Sequence, residues 1–157
     1  MFQRLQSLYL TLAALCISAM LLLPILQIQI VDEVYDFNVT GLKYLINGKE
    51  KNLIDFPFLI IIPAAALFSF ASIFLYKKQQ SQLKLGRLNY LLILLLIVMI
   101  LFSLDGALEK MQNADVARIS YQGFYFPIAA IAFVFLANRA IKRELEIMKV
   151  FEKLKKK

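Results

Sequence analysis

The sequence predicts an integral membrane protein, mainly α-helical: a four-transmembrane-helix bundle with a small antiparallel β-sheet in its first extracytoplasmic loop and a C-terminal amphipathic helix. Three observations predict this. Hydrophobic residues make up 61% of the 157, against about 45–50% in soluble domains, and the mean hydropathy is +0.68. Four apolar runs, over residues 8–26, 56–76, 88–104 and 124–141, have no charge in their middles. Each approaches the roughly 20 helical residues that cross a hydrocarbon core of about 30 Å, and four such runs in so short a chain leave no polar shell to bury them. The basic residues, finally, divide unequally among the connecting segments.

That division predicts an orientation. The N-terminus carries Arg4, and the segment 77–87 carries Lys77, Lys78, Lys84 and Arg87. The tail carries Arg139, Lys142, Arg143, Lys149, Lys153, Lys155, Lys156 and Lys157. The segments 27–55 and 105–123 carry only Lys43, Lys49, Lys51, Lys110 and Arg118, and most of the acidic residues. Cytoplasmic loops are enriched in Lys and Arg, so both ends and the segment 77–87 are expected inside. The net charge of +7 is thus a membrane signature. Nucleic-acid binding, which needs a basic patch with base-reading or stacking groups, is not expected.

The first run exceeds the h-region of about 7–15 residues in a signal peptide. Leu22-Leu23-Pro24-Ile25-Leu26 is not a small-residue cleavage site, so the run reads as a permanent helix. Cys16, the sole cysteine, follows Leu15 and reads as a small packing residue. Asp55 precedes Phe56-Pro57 and is expected to cap the second helix. Pro63 lies inside that helix and is expected to kink it.

The loop 27–55 is too long for a simple connector. Gln27-Ile28-Gln29-Ile30 and Tyr35-Asp36-Phe37-Asn38-Val39-Thr40 alternate polar with apolar residues, the period of a half-buried strand. Asn47-Gly48 is the favoured pair for a two-residue hairpin turn. A sheet of three or four strands is expected, with Val116 to Tyr121 as a possible additional strand. The third helix is expected to reach as far as about Gln112.

Ionisable residues inside a membrane mark functional sites by default, and the four runs hold none in their interiors. The chain has no His and no Trp, which removes the commonest metal ligand and proton shuttle. Asp105 and Glu109 share a helical spacing but have no nucleophile or metal partner beside them. No catalytic, cofactor-binding or metal-binding residues are expected. Small residues mark packing faces instead, because they let helices approach closely in lipid: Ala65, Ser69 and Ser72 on the second helix, Ala129 and Ala132 on the fourth. Serine hydroxyls can bond back to their own helix backbone.

In the tail, Ile141, Leu145, Met148, Phe151 and Leu154 repeat at helical spacing. Lys142–Glu146 and Glu152–Lys156 are i,i+4 pairs. Lys142, Arg143, Lys149, Lys153, Lys155, Lys156 and Lys157 are the candidate lipid or partner contacts. The helix is expected to continue out of the membrane, to lie on anionic lipid at the cytoplasmic face, or to dock a cytoplasmic partner.

The layout of a sheet between the first two helices resembles claudins in architecture alone, since the first outer loop has neither Trp nor Cys. A nearer resemblance lies in two motifs. Met1-Phe2-Gln3-Arg4-Leu5-Gln6-Ser7-Leu8-Tyr9-Leu10 resembles the opening of an uncharacterised four-span family of Bacteroidetes, domain-of-unknown-function family 4293. Gly123-Phe124-Tyr125-Phe126-Pro127 and Leu136-Ala137-Asn138-Arg139-Ala140-Ile141-Lys142 resemble its fourth helix. The tail departs from that family at Arg143-Glu144-Leu145-Glu146 and in its Lys-rich end. The resemblance implies an inner-membrane protein and supplies no catalytic residues. The expectation is a non-catalytic accessory or adaptor subunit that packs with other inner-membrane proteins. The alternative is a lipid- or small-molecule-handling protein with a cavity beneath the outer sheet.

Overall fold

The structure, a computed structural model, describes residues 2–30, 33–39, 41–46, 49–55, 58–110 and 116–155. Four helices and five strands follow one another as α1 (Phe2–Ala19), β1 (Leu26–Ile30), β2 (Glu33–Asn38), β3 (Gly41–Ile46), β4 (Lys49–Asp55), α2 (Phe58–Phe74), α3 (Gln79–Lys110), β5 (Val116–Ser120) and α4 (Tyr125–Lys155). The main helix contacts run α1–α2, α2–α3, α3–α4 and α4–α1, so the four helices close a ring.

The strands form one antiparallel sheet in the order β4-β3-β2-β1-β5. The period-two pattern of β1 sorts its faces: Leu26 and Ile28 are buried while Gln29 is exposed. Leu26 stands opposite Phe37 and Ile28 opposite Tyr35, so the apolar sides of β1 and β2 fall on the same face. On the other face Gln27 Nε2 donates to Asp36 Oδ1 at 3.0 Å, across a directly opposed pair. Ile119 of β5 pairs with Ile28, which confirms the additional strand. Lys49, Glu50 and Lys51 open β4, which is an edge strand. Asn47-Gly48 lies outside the described residues; the strands that flank it pair Ile46 with Lys49.

The sheet lies on the end of the bundle where α1 and α3 finish and α2 and α4 begin. Ile25, Leu26, Phe37 and Val39 share one buried cluster with Ala13, Ile17 and Met20 of the first helical segment, Phe58 and Ile62 of α2, and Ile93 and Leu96 of α3. Phe37 and Phe58 meet with ring centroids 5.9 Å apart and planes tilted by 55°, a favourable aromatic geometry.

Several boundaries differ from the sequence expectation. The first helix ends at Ala19 rather than near residue 26. Met20, Leu21 and Leu22 donate to the carbonyls of Ile17, Ser18 and Ala19 at 3.1–3.2 Å, a tightened 3₁₀-like finish, and Pro24 then lacks the N–H a helix needs. The third helix begins at Gln79, not 88, and has 32 residues. The expected basic loop 77–87 is therefore mostly helix, joined to α2 by one 3₁₀ turn at Leu75–Lys77. Asp55 closes β4 opposite Gly41, and Phe56-Pro57 lies outside the described residues. Pro63 sits inside α2.

Two helices, α3 and α4, are long and apolar enough to cross a membrane, over Gln79–Gly106 and Tyr125–Phe151. The helical parts of the first two runs, Leu5–Ala19 and Phe58–Phe74, are apolar but shorter.

Candidate functional site

The chemistry of the molecule gathers at the end of the bundle far from the sheet. One face of α3 explains why. Gln79, Gln82, Gly86, Asn89, Ile93, Leu96 and Ile100 are all buried and recur at alternating spacings of three and four, the seam of a helix packed among helices. The sheet-proximal half of this seam is apolar. The distal half is polar.

The polar half of the seam and the residues around it meet α2 and α4. Asn89 Nδ2 donates to Ser69 Oγ of α2 at 2.7 Å, fully buried. Gly86 has no side chain, and Asn138 of α4 occupies that space: a Cβ on Gly86 would collide with the Asn138 amide oxygen. Gln6 of α1 is buried and donates through Nε2 to the Glu144 carboxylate of α4. Ser72, also buried, returns its hydroxyl to the Phe68 carbonyl at 2.8 Å, as expected for a helical serine. The seam is nevertheless incompletely paired. Oε1 of Gln79, both amide atoms of Gln82, and Oδ1 of Asn89 and of Asn138 are buried without a protein partner. An unpaired buried polar atom costs about 1–3 kcal/mol, so this half of the bundle carries polar groups that packing alone would replace.

The seam opens onto a cavity of about 500 Å³ at the start of α3, walled by Gln79 and Ser81 on one side and by Leu145 and Met148 of α4 on the other. Beyond it α4 runs on to Lys155 as one continuous helix, so the amphipathic tail is the end of the fourth helix. Its apolar stripe is covered at the start and bare at the end. Ile141 is buried and Leu145 half-buried, whereas Met148 is 45% exposed, Phe151 68% and Leu154 66%. Lys142, Arg143 and Lys149 are exposed. The side chains of Lys153 and Lys155, and all of Lys156 and Lys157, lie outside the described ones, as does the Glu152–Lys156 pair. Among the described residues no three His, Cys, Asp or Glu side chains come together to hold a metal ion.

The expected packing residues divide. Ala65, Ser69 and Ser72 are buried, and Cys16 packs half-buried against the core. Ala129 is only half-buried and Ala132 is exposed within this chain. The inward phase of α4 is set by Ala130, Val134, Ala137 and Ile141, all buried, and Ala132 falls between those positions. Gln79, Gln82 and Gly86 were not expected at all. Their signal was present, because they continue the spacing of Ile93, Leu96 and Ile100 towards the N-terminus. Hydropathy alone hides it, since a polar seam lowers the average that marks a span.

A helical bundle capped at one end by a five-stranded antiparallel sheet, with a polar seam at the other end, is the class this geometry defines. The chain belongs to the family described as a domain of unknown function, DUF4293, whose model matches residues 2–154. Comparison with curated proteins finds no match.

Gly86→Ala tests the seam directly. It is expected to destabilise the fold by about 1–3 kcal/mol through overpacking, despite the helix-propensity gain of about 1 kcal/mol from replacing Gly. Adding Asn138→Ala removes the opposing amide and is expected to recover most of that loss. Thermal unfolding of the two variants in detergent measures the difference, and equal melting temperatures would contradict the contact.

Proposed function

We propose that this chain is a non-catalytic protein of the cell inner membrane, crossing it four times with both termini cytoplasmic, and that it serves as an accessory or adaptor subunit of a larger membrane assembly. The outward faces of all four helices support the membrane part. They expose Leu8 and Leu15, Ile60 and Leu67, Leu95 and Phe102, and Ile128 and Phe135, far more apolar surface than soluble monomers leave bare. For α1 the apolar turn over residues 20–23 adds length to the shorter helix, and for α2 Leu75 and Tyr76 do so before the chain reaches Lys77. The division of Lys and Arg supports the orientation.

The observation that carries the adaptor reading is the far end of α4. Its apolar stripe of Met148, Phe151 and Leu154 emerges uncovered from the bundle, with Lys142, Arg143 and Lys149 exposed on the same helix. An amphipathic helix of this kind lays its apolar face into a groove of a partner, and its basic residues favour an acidic rim. The rival lipid-handling reading placed its cavity under the sheet. There, Phe37, Phe58, Ile25 and Leu26 are fully packed, and the space beside Leu21, Leu22, Leu23, Asn38 and Val39 measures about 260 Å³, below the roughly 300–1,000 Å³ of small-molecule sites, which favours the first reading.

Purification of the full chain in mild detergent, with its complex mass measured, tests the proposal. The native chain is expected to migrate with other membrane proteins in fixed stoichiometry. The double variant Phe151→Glu, Leu154→Glu is expected to run alone, with unchanged thermal stability. A native chain that already runs alone would overturn the adaptor reading.

A further inference from the structure

We propose that the outward face of α4 binds one anionic phospholipid of the cytoplasmic leaflet, with its phosphate held between Arg139 and Arg143 and an acyl chain lying past Phe135 and over Ala132. This rests on the membrane and orientation reading above.

The helix turns two opposite faces to its surroundings. Ala130, Val134, Ala137 and Ile141 are buried in the bundle. Ile128, Ala132, Phe135, Arg139, Arg143 and Glu146 are all exposed, and they follow one another at spacings of three and four, which keeps them on one face. Met148, which opens the apolar stripe offered to a partner, stands seven residues after Ile141 and continues the bundle-facing side. Lipid and partner therefore use different faces.

The outward face changes character within one turn. Through Leu136 its exposed residues are apolar, and from Arg139 they are charged. A phospholipid has the same order along its length, acyl chain and then phosphate, so Arg139 stands at the head-group level.

The charged part is a recess rather than a scatter of cations. Arg139, Lys142, Arg143 and Glu146 together wall a space of about 360 Å³, within the roughly 300–1,000 Å³ of small-molecule sites. Three cations against one carboxylate leave it positive. Glu146 stands at i,i+4 from Lys142, the spacing of a helical ion pair, so its charge offsets that of the lysine and the two guanidiniums carry the excess. Arg139 and Arg143 are themselves one turn apart, about 6 Å along the axis, a separation that two long side chains close on one phosphate. Guanidinium presents a planar fork that matches phosphate oxygens bidentately.

The apolar part supplies the seat for a chain. Ala132 is small, and its neighbours Ile128, Phe135 and Leu136, one turn to either side, are larger and exposed. They stand around it and leave a shallow furrow that leads to Arg139. An acidic cytoplasmic protein could reach the arginines but has no use for a furrow at the hydrocarbon level, which selects the lipid.

Native mass spectrometry of the full chain released from detergent tests this, with a long-chain phosphatidylglycerol as probe and phosphatidylcholine of the same chains in a separate arm. One phosphatidylglycerol per chain is expected to survive collision energies that strip the others, with at least fivefold less phosphatidylcholine retained. The double variant Arg139→Gln, Arg143→Gln is expected to cut retained phosphatidylglycerol at least fivefold. Lys84→Gln, Arg87→Gln removes the same charge from exposed positions of α3 and is expected to leave retention within twofold. Ala132→Phe fills the furrow with every charge in place and is expected to cut retention at least threefold. All these positions are exposed, so melting temperatures are expected to match that of the native chain. Equal losses in the two double variants would reduce the effect to bulk charge and overturn the site, as would equal retention of the two lipids. Unchanged lipid in the Arg139→Gln, Arg143→Gln variant, with loss of a protein that accompanies the native chain, would make this face a docking surface for an acidic partner and overturn the lipid. Release of the chain from membranes by alkaline carbonate would overturn the membrane reading itself, whereas a chain that stays in the membrane pellet but retains no lipid would overturn the site alone.

Discussion

Gly123→Ala is expected to lower the stability of the fold by about 3 kcal/mol, the upper part of the range for overpacking, and the melting temperature by roughly 6–12 °C at this chain length. Gly123 is buried where the chain turns into α4. A Cβ there would collide with the Pro24 carbonyl oxygen and lie 2.6 Å from Ile25 Cα. Both are backbone atoms of the link between α1 and β1, and neither can swing aside as a side chain would. The two chain segments would have to part, and with them the α1–α4 contact and the seating of β1. Gly106 supplies the control: it lies within α3 and a Cβ would meet nothing within 4 Å. Gly106→Ala is expected to raise stability slightly, by up to about 1 kcal/mol of helix propensity. Thermal scans of the purified chain in one detergent compare the two, and a Gly123→Ala loss no larger than that of Gly106→Ala would contradict the close approach.

Phe37→Ala is expected to cost about 3–5 kcal/mol, the range for truncating a buried aromatic side chain. Phe37 is fully buried and joins the sheet to the bundle through its ring contact with Phe58. Its backbone carbonyl also accepts the Ile25 N–H at 2.8 Å, a bond the substitution leaves in place. The loss should therefore appear first as loosening of the sheet from the helices. Amide exchange in β1 and β2 is expected to speed up before exchange in α3 does. A double-mutant cycle with Phe58→Ala is expected to show a coupling of about 0.5–1.5 kcal/mol from the aromatic pair. Uniform acceleration across the chain would mean that the sheet and bundle open together.

Much of this architecture is legible in the sequence, residue by residue. The alternation Gln27-Ile28-Gln29-Ile30 became β1, with Ile28 inward and Gln29 outward. The segment beginning at Val116 became the strand that flanks it. The tail stripe became the last turns of α4. Each of these rests on a periodicity confined to a few neighbouring residues. The cavity at the start of α3 was not legible, because its walls come from Lys78 to Ser81 and from Leu145 and Met148, segments far apart in the chain. Nor was the end of α1. Residues 20–23 are as apolar as those before them, and only Pro24 and the seat of Ile25 in the sheet ladder turn the chain there.

Local pattern in the sequence is enough for the number of helices, the place and period of the strands, and the apolar residues that the helices leave exposed. Hydropathy and spacing suffice for these because they depend on each residue's own solvation and on its near neighbours. The tertiary structure alone decided that Ala130 and Ala137 rather than Ala132 pack inward. It decided too that Asn138 crosses over Gly86, that Gln6 reaches Glu144, and that Gln79 stands at the mouth of a cavity. Whether a polar side chain is paired or orphaned depends on groups brought beside it from other helices, and no local pattern records them.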